Sequence, residues 1–261
     1  MSKGSTRRAE RRPLRRSRFV TACATVQGRG HETAGVRCQD AAARKCRRRN
    51  HVVVLSDGSG SALHAAAGAQ ALVAAVANHL SQHLPHVVSL TPEHARALIV
   101  DVACSALLRL ARKNGWRFAD LAATLLFAAT DGTTFLAGQL GDGRIGVRAH
   151  ETAAWHALDT ASRGEFSNET YFITSRNPVE HLKLARCPMA QVGACVLMSD
   201  GAEAGLYQRR TGTFAPAVET MGNWARKVSV ERCERSITLG LRDLLRAPTM
   251  DDVSVAYLVR R

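Results

Sequence analysis

Val52-Val53-Val54-Leu55-Ser56-Asp57-Gly58-Ser59-Gly60-Ser61 is a β-branched run that ends on an aspartate and a glycine- and serine-rich turn. Such a run favours a buried strand, and the residues after it favour a turn. Beyond it the period changes. Ala69, Leu72, Val73, Val76, Leu80 and Leu84 recur at three and four residues, the stripe of a helix that packs one face on a core. A second helix is expected from Thr91-Pro92-Glu93, where Thr caps, Pro suits the first turn and Glu complements the dipole. Its stripe is Ile99, Val102, Ala103, Ala106, Leu107 and Leu110. Antiparallel strands are expected at 124–129 and 134–140, joined through Asp131-Gly132, with 145–148 continuing the meander. Residues 194–198 read as a buried strand and 253–259 as a terminal one; between them Val230, Cys233, Ile237, Leu241, Leu244 and Leu245 mark a third helix. Strands come in groups and helices in long pairs, without βαβ alternation, so the expected class is α+β.

The acids fall at the strand ends. Asp57 follows the first strand, Asp142 and Asp200 follow the strands ending near Leu140 and Met198, and Asp251 with Asp252 precedes the last. Three sit in Ser-Asp-Gly or Gly-Asp-Gly turns, where glycine lets backbone approach a ligand. Carboxylates gathered at one end of a sheet repel one another unless a cation lies among them. Their donors are oxygens, so the expected metal is hard, Mg²⁺ or Mn²⁺. The ten His are read as dispersed and solvent-facing, which makes zinc a poor fit. Two ions sharing carboxylates activate water and neutralise phosphate, and the natural reaction is phosphoester hydrolysis. Phosphate loops, dinucleotide fingerprints and a Gly-x-Ser-x-Gly elbow are all missing from the sequence.

Composition narrows the rest. The 261 residues, 46% hydrophobic and 22% charged, suit one globular domain. Aromatics at 5% leave little for stacking single-stranded nucleic acid. Seven Cys without Cys-x-x-Cys spacing point to a reducing, cytoplasmic setting. The net charge is +14, and residues 1–18 hold eight basic side chains against one acid. With almost no large apolar residue apart from Leu14, this arm is expected to be disordered and able to meet acidic protein, nucleic acid or anionic lipid. The run Arg44–Arg49 reads as an exposed loop before a strand. No stretch is apolar enough for a signal peptide or a transmembrane segment. Residues 19–261 are expected to form the domain proper.

Read in order, Gly28-x-Gly30-His31, Cys38-Gln39-Asp40, the run 52–61, Ala122 to Leu126, Gly141-Asp142-Gly143-Arg144, the segment 164–172, Met198 to Gly201 and Asp251 to Val255 resemble the metal-dependent serine/threonine protein phosphatases of type 2C, in particular their compact bacterial branch. The resemblance implies a central β-sandwich of two mainly antiparallel sheets flanked by pairs of antiparallel helices. It also implies two ions, Mn²⁺ or Mg²⁺, with a third that is weaker. Asp57 would bridge both ions, the Gly58 carbonyl would complete the second, and Asp200 and Asp251 would hold the first. Asp40 would order water on the ions and Asp142 would serve the third. The implied catalytic residues are Asp57, Asp200 and Asp251, acting on phosphorylated protein substrates of a serine/threonine kinase by in-line attack of a bridging water.

The same comparison exposes departures. Ser59 stands where many members carry a proton-donating His, Gly35 where many carry a phosphate-binding Arg, Gln39 where many carry Glu, and Ala204, with Glu203 beside it, where the third ion's second acid is expected. Arg37 becomes the candidate phosphate-binding residue. An impaired relative that binds phosphoproteins or scaffolds a kinase is the alternative. Asn168, Glu169 and Thr170 read equally as a structured loop or a flap, and Trp116, Trp155 and Trp224 as packing residues.

Overall fold

Alternation along 52–55 fixes how the strand is buried. Val52 and Val54 face one hydrophobic layer, Val53 and Leu55 face another, and none of the four touches solvent. A strand covered on both faces lies inside a layered fold. The computed structural model describes residues 19–158, 170–245 and 249–261. In chain order its strands are β1 (Phe19–Val26), β2 (Ala41–Arg47), β3 (Asn50–Ser56), β4 (Leu125–Thr130), β5 (Thr134–Leu140), β6 (Arg144–Arg148), β7 (His156–Ala157), β8 (Lys183–Pro188), β9 (Ala194–Met198), β10 (Tyr207–Gln208), β11 (Thr213–Phe214) and β12 (Val253–Arg260). Its helices are α1 (Arg29–Thr33), α2 (Ala65–Ser89), α3 (Pro92–Asn114), α4 (Pro178–His181), α5 (Asp200–Leu206), α6 (Pro216–Lys227) and α7 (Val230–Leu244).

Two antiparallel five-stranded sheets, ordered β1-β12-β9-β6-β7 and β2-β3-β4-β5-β8, stack face to face. Leu126 and Ala128 meet Cys195, Leu197, Ala256 and Leu258 between them. The outer face of the β3 sheet carries α2 and α3, and the outer face of the β9 sheet carries α6 and α7. This is the expected sandwich with its flanking helix pairs. The α2 stripe is buried throughout, and a fully buried Leu such as Leu72 or Leu80 contributes about 1.5–3 kcal/mol. Thr91 caps α3 by accepting from the His94 N–H, and Gly115 ends it in the left-handed region at φ 68°. Asp131 closes the expected hairpin by accepting from the backbone of Thr133 and Thr134.

Helix α2 runs through Pro85, which has no N–H and leaves the Ser81 carbonyl without its helical donor. Asn50 supplies the missing donor, Nδ2 to the Ser81 carbonyl at 2.9 Å. The start of β3 is thereby tied to the helix.

Several expectations need correction. Arg44–Arg47 belong to β2, and Arg48, at φ 55°, with Arg49 forms the turn into β3; this basic run is half of a hairpin, not a loop. Arg44 pairs with Glu234 of α7 at 2.6 Å. His79 and His83 are not dispersed: they stand four apart on α2 with ring centroids 5.0 Å apart. Leu244 is 61% exposed at the end of α7, and Leu245 takes the buried position. Trp116 stacks on His64, and Trp155 and Trp224 pack against the α6–α7 layer, so all three are packing residues. The basic arm, Asn168 and Glu169 lie outside the described residues. The seven thiols are free, and no described helix is long and apolar enough to cross a membrane.

Candidate metal and catalytic centre

Strands β3 and β5 flank β4 in one sheet, while β9 and β12 are neighbours in the other. Antiparallel pairing sets the end of β9 beside the start of β12: Met198 faces Val255, and the Ser199 N–H reaches the Ser254 carbonyl at 3.0 Å. Asp200 and Asp251 are therefore brought together. Gly201 permits the approach, since a Cβ there would lie 2.2 Å from the Asp252 carbonyl oxygen. Across the sandwich, the Asp57 N–H donates to Thr124 Oγ1 at 2.9 Å, and the Thr124 N–H donates to the Asp57 carbonyl at 2.8 Å. Gly58 lets α2 begin against the strand end, a Cβ there meeting the Ala65 backbone at 2.8 Å. Asp57, Asp142, Asp200, Asp251 and Gly58 line one cavity of about 230 Å³.

Carboxylate oxygens of Asp57, Asp142 and Asp200 lie within 4.8 Å of one another. Burial, reinforced by Asp40, Asp200 and Asp251, pushes the Asp57 carboxyl up to about 11. Asp200 is raised as well, chiefly by burial. Asp40 is buried close by, and neither of its carboxylate oxygens has a hydrogen-bond partner. Its carboxyl rises to about 7 through burial, although the nearby Ser254 and Ser199 pull it down. The Ser254 hydroxyl is spent on Thr25 at 2.9 Å. No Arg or Lys is among the residues that line the cavity.

Crowded oxygen donors, half-buried to exposed at the cavity and without a fixed cation, suit hard divalent ions. Asp57, Asp142, Asp200, Asp251 and the Gly58 carbonyl could hold them, with Asp40 behind. Asp252, buried at 2% side-chain exposure, is already engaged. Its oxygens accept from the Gly28 N–H at 2.7 Å and the Gln39 N–H at 2.6 Å, and face His31 Nδ1 at 2.9 Å.

The site residues expected from sequence thus gather at one place, with one exception. Arg37 is exposed and is not among the lining residues. Glu203 is buried and clamps Arg144 and Arg209. Ser59 lines the cavity and its hydroxyl meets Ser61 at 2.9 Å. Thr170 donates to Asp142 at 2.6 Å, which joins the end of the polar segment to the centre. Sequence reasoning gave no role to His31, Thr124 or Asp252, although the Gly-x-Gly-His motif and the doubled aspartate were visible signals. Burial, Asp252 and Asp40 push the Cys38 thiol up, which disfavours the thiolate that a nucleophile needs.

The sequence model described as Protein phosphatase 2C matches residues 27–243. None of the curated proteins matches in sequence. Among solved structures, the chain is similar to the S. agalactiae serine/threonine phosphatase, with a TM-score of 0.63 and 14% identity over 93% of this chain and 100% of that one. A point variant of a bacterial serine phosphatase superposes with a TM-score of 0.62 and 14% identity, covering 94% and 100%. RsbX in complex with magnesium gives 0.53 and 14%, covering 93% and 96%.

Proposed function

Because the chain belongs to the protein phosphatase 2C family, we propose that it hydrolyses phosphoserine and phosphothreonine in proteins with the help of bound Mg²⁺ or Mn²⁺. One observation carries the reading: aspartates from both sheets converge on a single cavity that contains no Arg or Lys. Ions bound there supply positive charge to the phosphoryl oxygens and make water acidic enough to attack at neutral pH. Asp57, at the end of β3, would be shared by both ions, with Asp200 and Asp251 holding the first and the Gly58 carbonyl the second. Asp40 is assigned to order water, through the two oxygens that have no protein partner. Asp142 is assigned to a third, weaker position, oriented by the Thr170 hydroxyl. Arg37, exposed two residues before the lining residue Gln39, is assigned to reach the phosphate from outside the cavity.

Attack is direct, in line, and without a phosphoenzyme: the cavity lining holds no thiol, the Ser59 hydroxyl meets Ser61, and the lining aspartates would be taken up by the ions. The substrates are proposed to be products of a serine/threonine kinase in bacterial cytoplasmic signalling, with the basic arm meeting acidic partners. The absence of a lining Arg favours a second reading, a binding or scaffolding protein with impaired turnover.

Phosphate release from a phosphothreonine peptide and from p-nitrophenyl phosphate separates the two. Turnover that requires Mn²⁺ or Mg²⁺, stops in EDTA and is lost in Asp57→Asn is the expected result. Folded, metal-loaded protein that releases no phosphate would move the scaffolding reading to first place.

A further inference from the structure

We propose that His31 is the catalytic residue that gives a proton to the leaving serine or threonine oxygen, an assignment that rests on the phosphatase reading above. The segment Gly28–His31 lies directly on the backbone of 250–252. The Gly28 N–H donates to Asp252 Oδ1 at 2.7 Å, and the Gly30 N–H donates to the Met250 carbonyl at 2.8 Å. A Cβ on Gly28 would sit 2.3 Å from the Asp251 carbonyl carbon, and one on Gly30 would sit 2.8 Å from the Met250 oxygen. Only glycine allows this approach, and the approach sets His31 in the cavity wall.

Asp252 then fixes the ring. Its carboxylate is buried and accepts from two backbone N–H groups, and its Oδ2 is 2.9 Å from His31 Nδ1. Each Asp252 oxygen already accepts from a backbone N–H, an arrangement that accepts from Nδ1 as well; Nδ1 then carries the hydrogen and Nε2 is the nitrogen available to a ligand. His31 is the one lining side chain able to carry positive charge; the remainder are carboxylates, uncharged polar groups, Phe172 and glycines. The Ser59 hydroxyl, engaged with Ser61, is hardly more acidic than the alcohol that departs.

An alkoxide leaves slowly unless it is protonated as its bond breaks. In the proposed step the oxygen of the attacking water bonds to phosphorus while the ester P–O bond breaks. Its electron pair goes to the leaving oxygen, which takes the proton from Nε2, while the other ring hydrogen stays on Nδ1, hydrogen-bonded to Asp252. The proton shed by the attacking water passes to solvent, and a proton from solvent restores Nε2. Asp252 acts as a positioning residue.

The test compares leaving groups. p-Nitrophenolate departs without a proton, whereas threonine does not. With either Mn²⁺ or Mg²⁺ bound, His31→Gln is expected to lower kcat on a phosphothreonine peptide by about 10²–10⁴-fold and on p-nitrophenyl phosphate by less than about tenfold. Asp252→Asn should show the same split more weakly, and Asp57→Asn should lose both activities. Equal losses in His31→Gln, or none, overturn the assignment while leaving the phosphatase reading intact; an inactive wild type overturns both. A second readout needs no turnover and no variant. In ¹⁵N-labelled wild type with Mg²⁺, inorganic phosphate is expected to shift the His31 Nε2 resonance while Nδ1 keeps its hydrogen, and an unmoved Nε2 refutes the contact.

Discussion

Asp57 and Asp200 leave different sheets and finish with carboxylate oxygens within 4.8 Å of each other. Without a cation this pair works against the fold. The folded Asp57 carboxyl is raised to about 11 and Asp40 to about 7, against about 4 in an unfolded chain. Between those values the folded protein holds protons that the unfolded chain has released, so stability falls as pH rises from about 4. Asp40's share is complete just above 7, and Asp57's continues toward 11. Buried His51 and half-buried His79 act oppositely, since their lowered pKa values favour the fold as pH approaches neutrality, and the thiols of Cys23, Cys38, Cys195 and Cys233, raised chiefly by burial, add their own loss of stability above about 8, so the window that isolates the aspartates is about pH 7–8. In EDTA, the melting temperature should drop across that window for wild type and stay nearly level for Asp57→Asn. Mg²⁺ or Mn²⁺, competing for the ionised carboxylates, should flatten the wild-type curve. A flat metal-free wild-type curve would contradict the crowding.

Asp40 makes a sharper case, because neither of its buried oxygens has a partner. Asn has nearly the same shape and no charge. Asp40→Asn is expected to melt higher than wild type in EDTA at pH 8, and to need about tenfold more metal for half-saturation, the usual scale for a residue that orients a metal site from behind. Calorimetric titration with Mn²⁺ alongside thermal melts reads both. If the variant binds metal as wild type does, Asp40 takes no part in the ion site.

The parts legible in sequence were those whose signal is local. The Val52–Leu55 run, the α2 stripe and the Thr91 cap each need only their own neighbours, and the aspartates could be placed because each ends or begins such a run. β2 was misread because it is an edge strand: Lys45 and Arg47 face solvent, and a charged edge looks like a loop until its partner is known. His31 and Asp252 failed for a related reason. They are 221 residues apart, and neither motif implies the other without the sheet that joins them. Arg37 is the candidate only because Gly35 holds the place where the resemblance expects an arginine, and nearness in sequence does not reveal that the side chain stays outside the cavity lining.

Asn50 and Pro85 are expected to be energetically coupled through the Ser81 carbonyl. Asn50→Ala removes that carbonyl's donor and should cost about 1 kcal/mol. Pro85→Ala restores the helical N–H, so the same Asn50→Ala change in that background should cost about half as much or less. Denaturant unfolding of the four proteins completes the cycle. Strict additivity would mean that water, and not Asn50, satisfies Ser81 once the proline is in place.

Glu203 accepts from Arg144 Nη2 at 3.0 Å and from Arg209 Nε at 2.8 Å, with its own side chain only 2% exposed. The two guanidiniums are unequal: Arg144 is 25% exposed and Arg209 is 65% exposed, so Arg209 returns to water at little cost. Arg209→Ala alone should cost less than about 1 kcal/mol, the range for exposed pairs. Arg144→Ala should cost somewhat more, with Arg209 still covering the carboxylate. Removing both leaves a buried charge without a counterion, and the loss should reach about 3–5 kcal/mol, more than the two single losses together. Urea unfolding of the four proteins measures this, and a double-variant loss no larger than the two single losses together would show that Glu203 draws its stabilisation from somewhere other than these arginines.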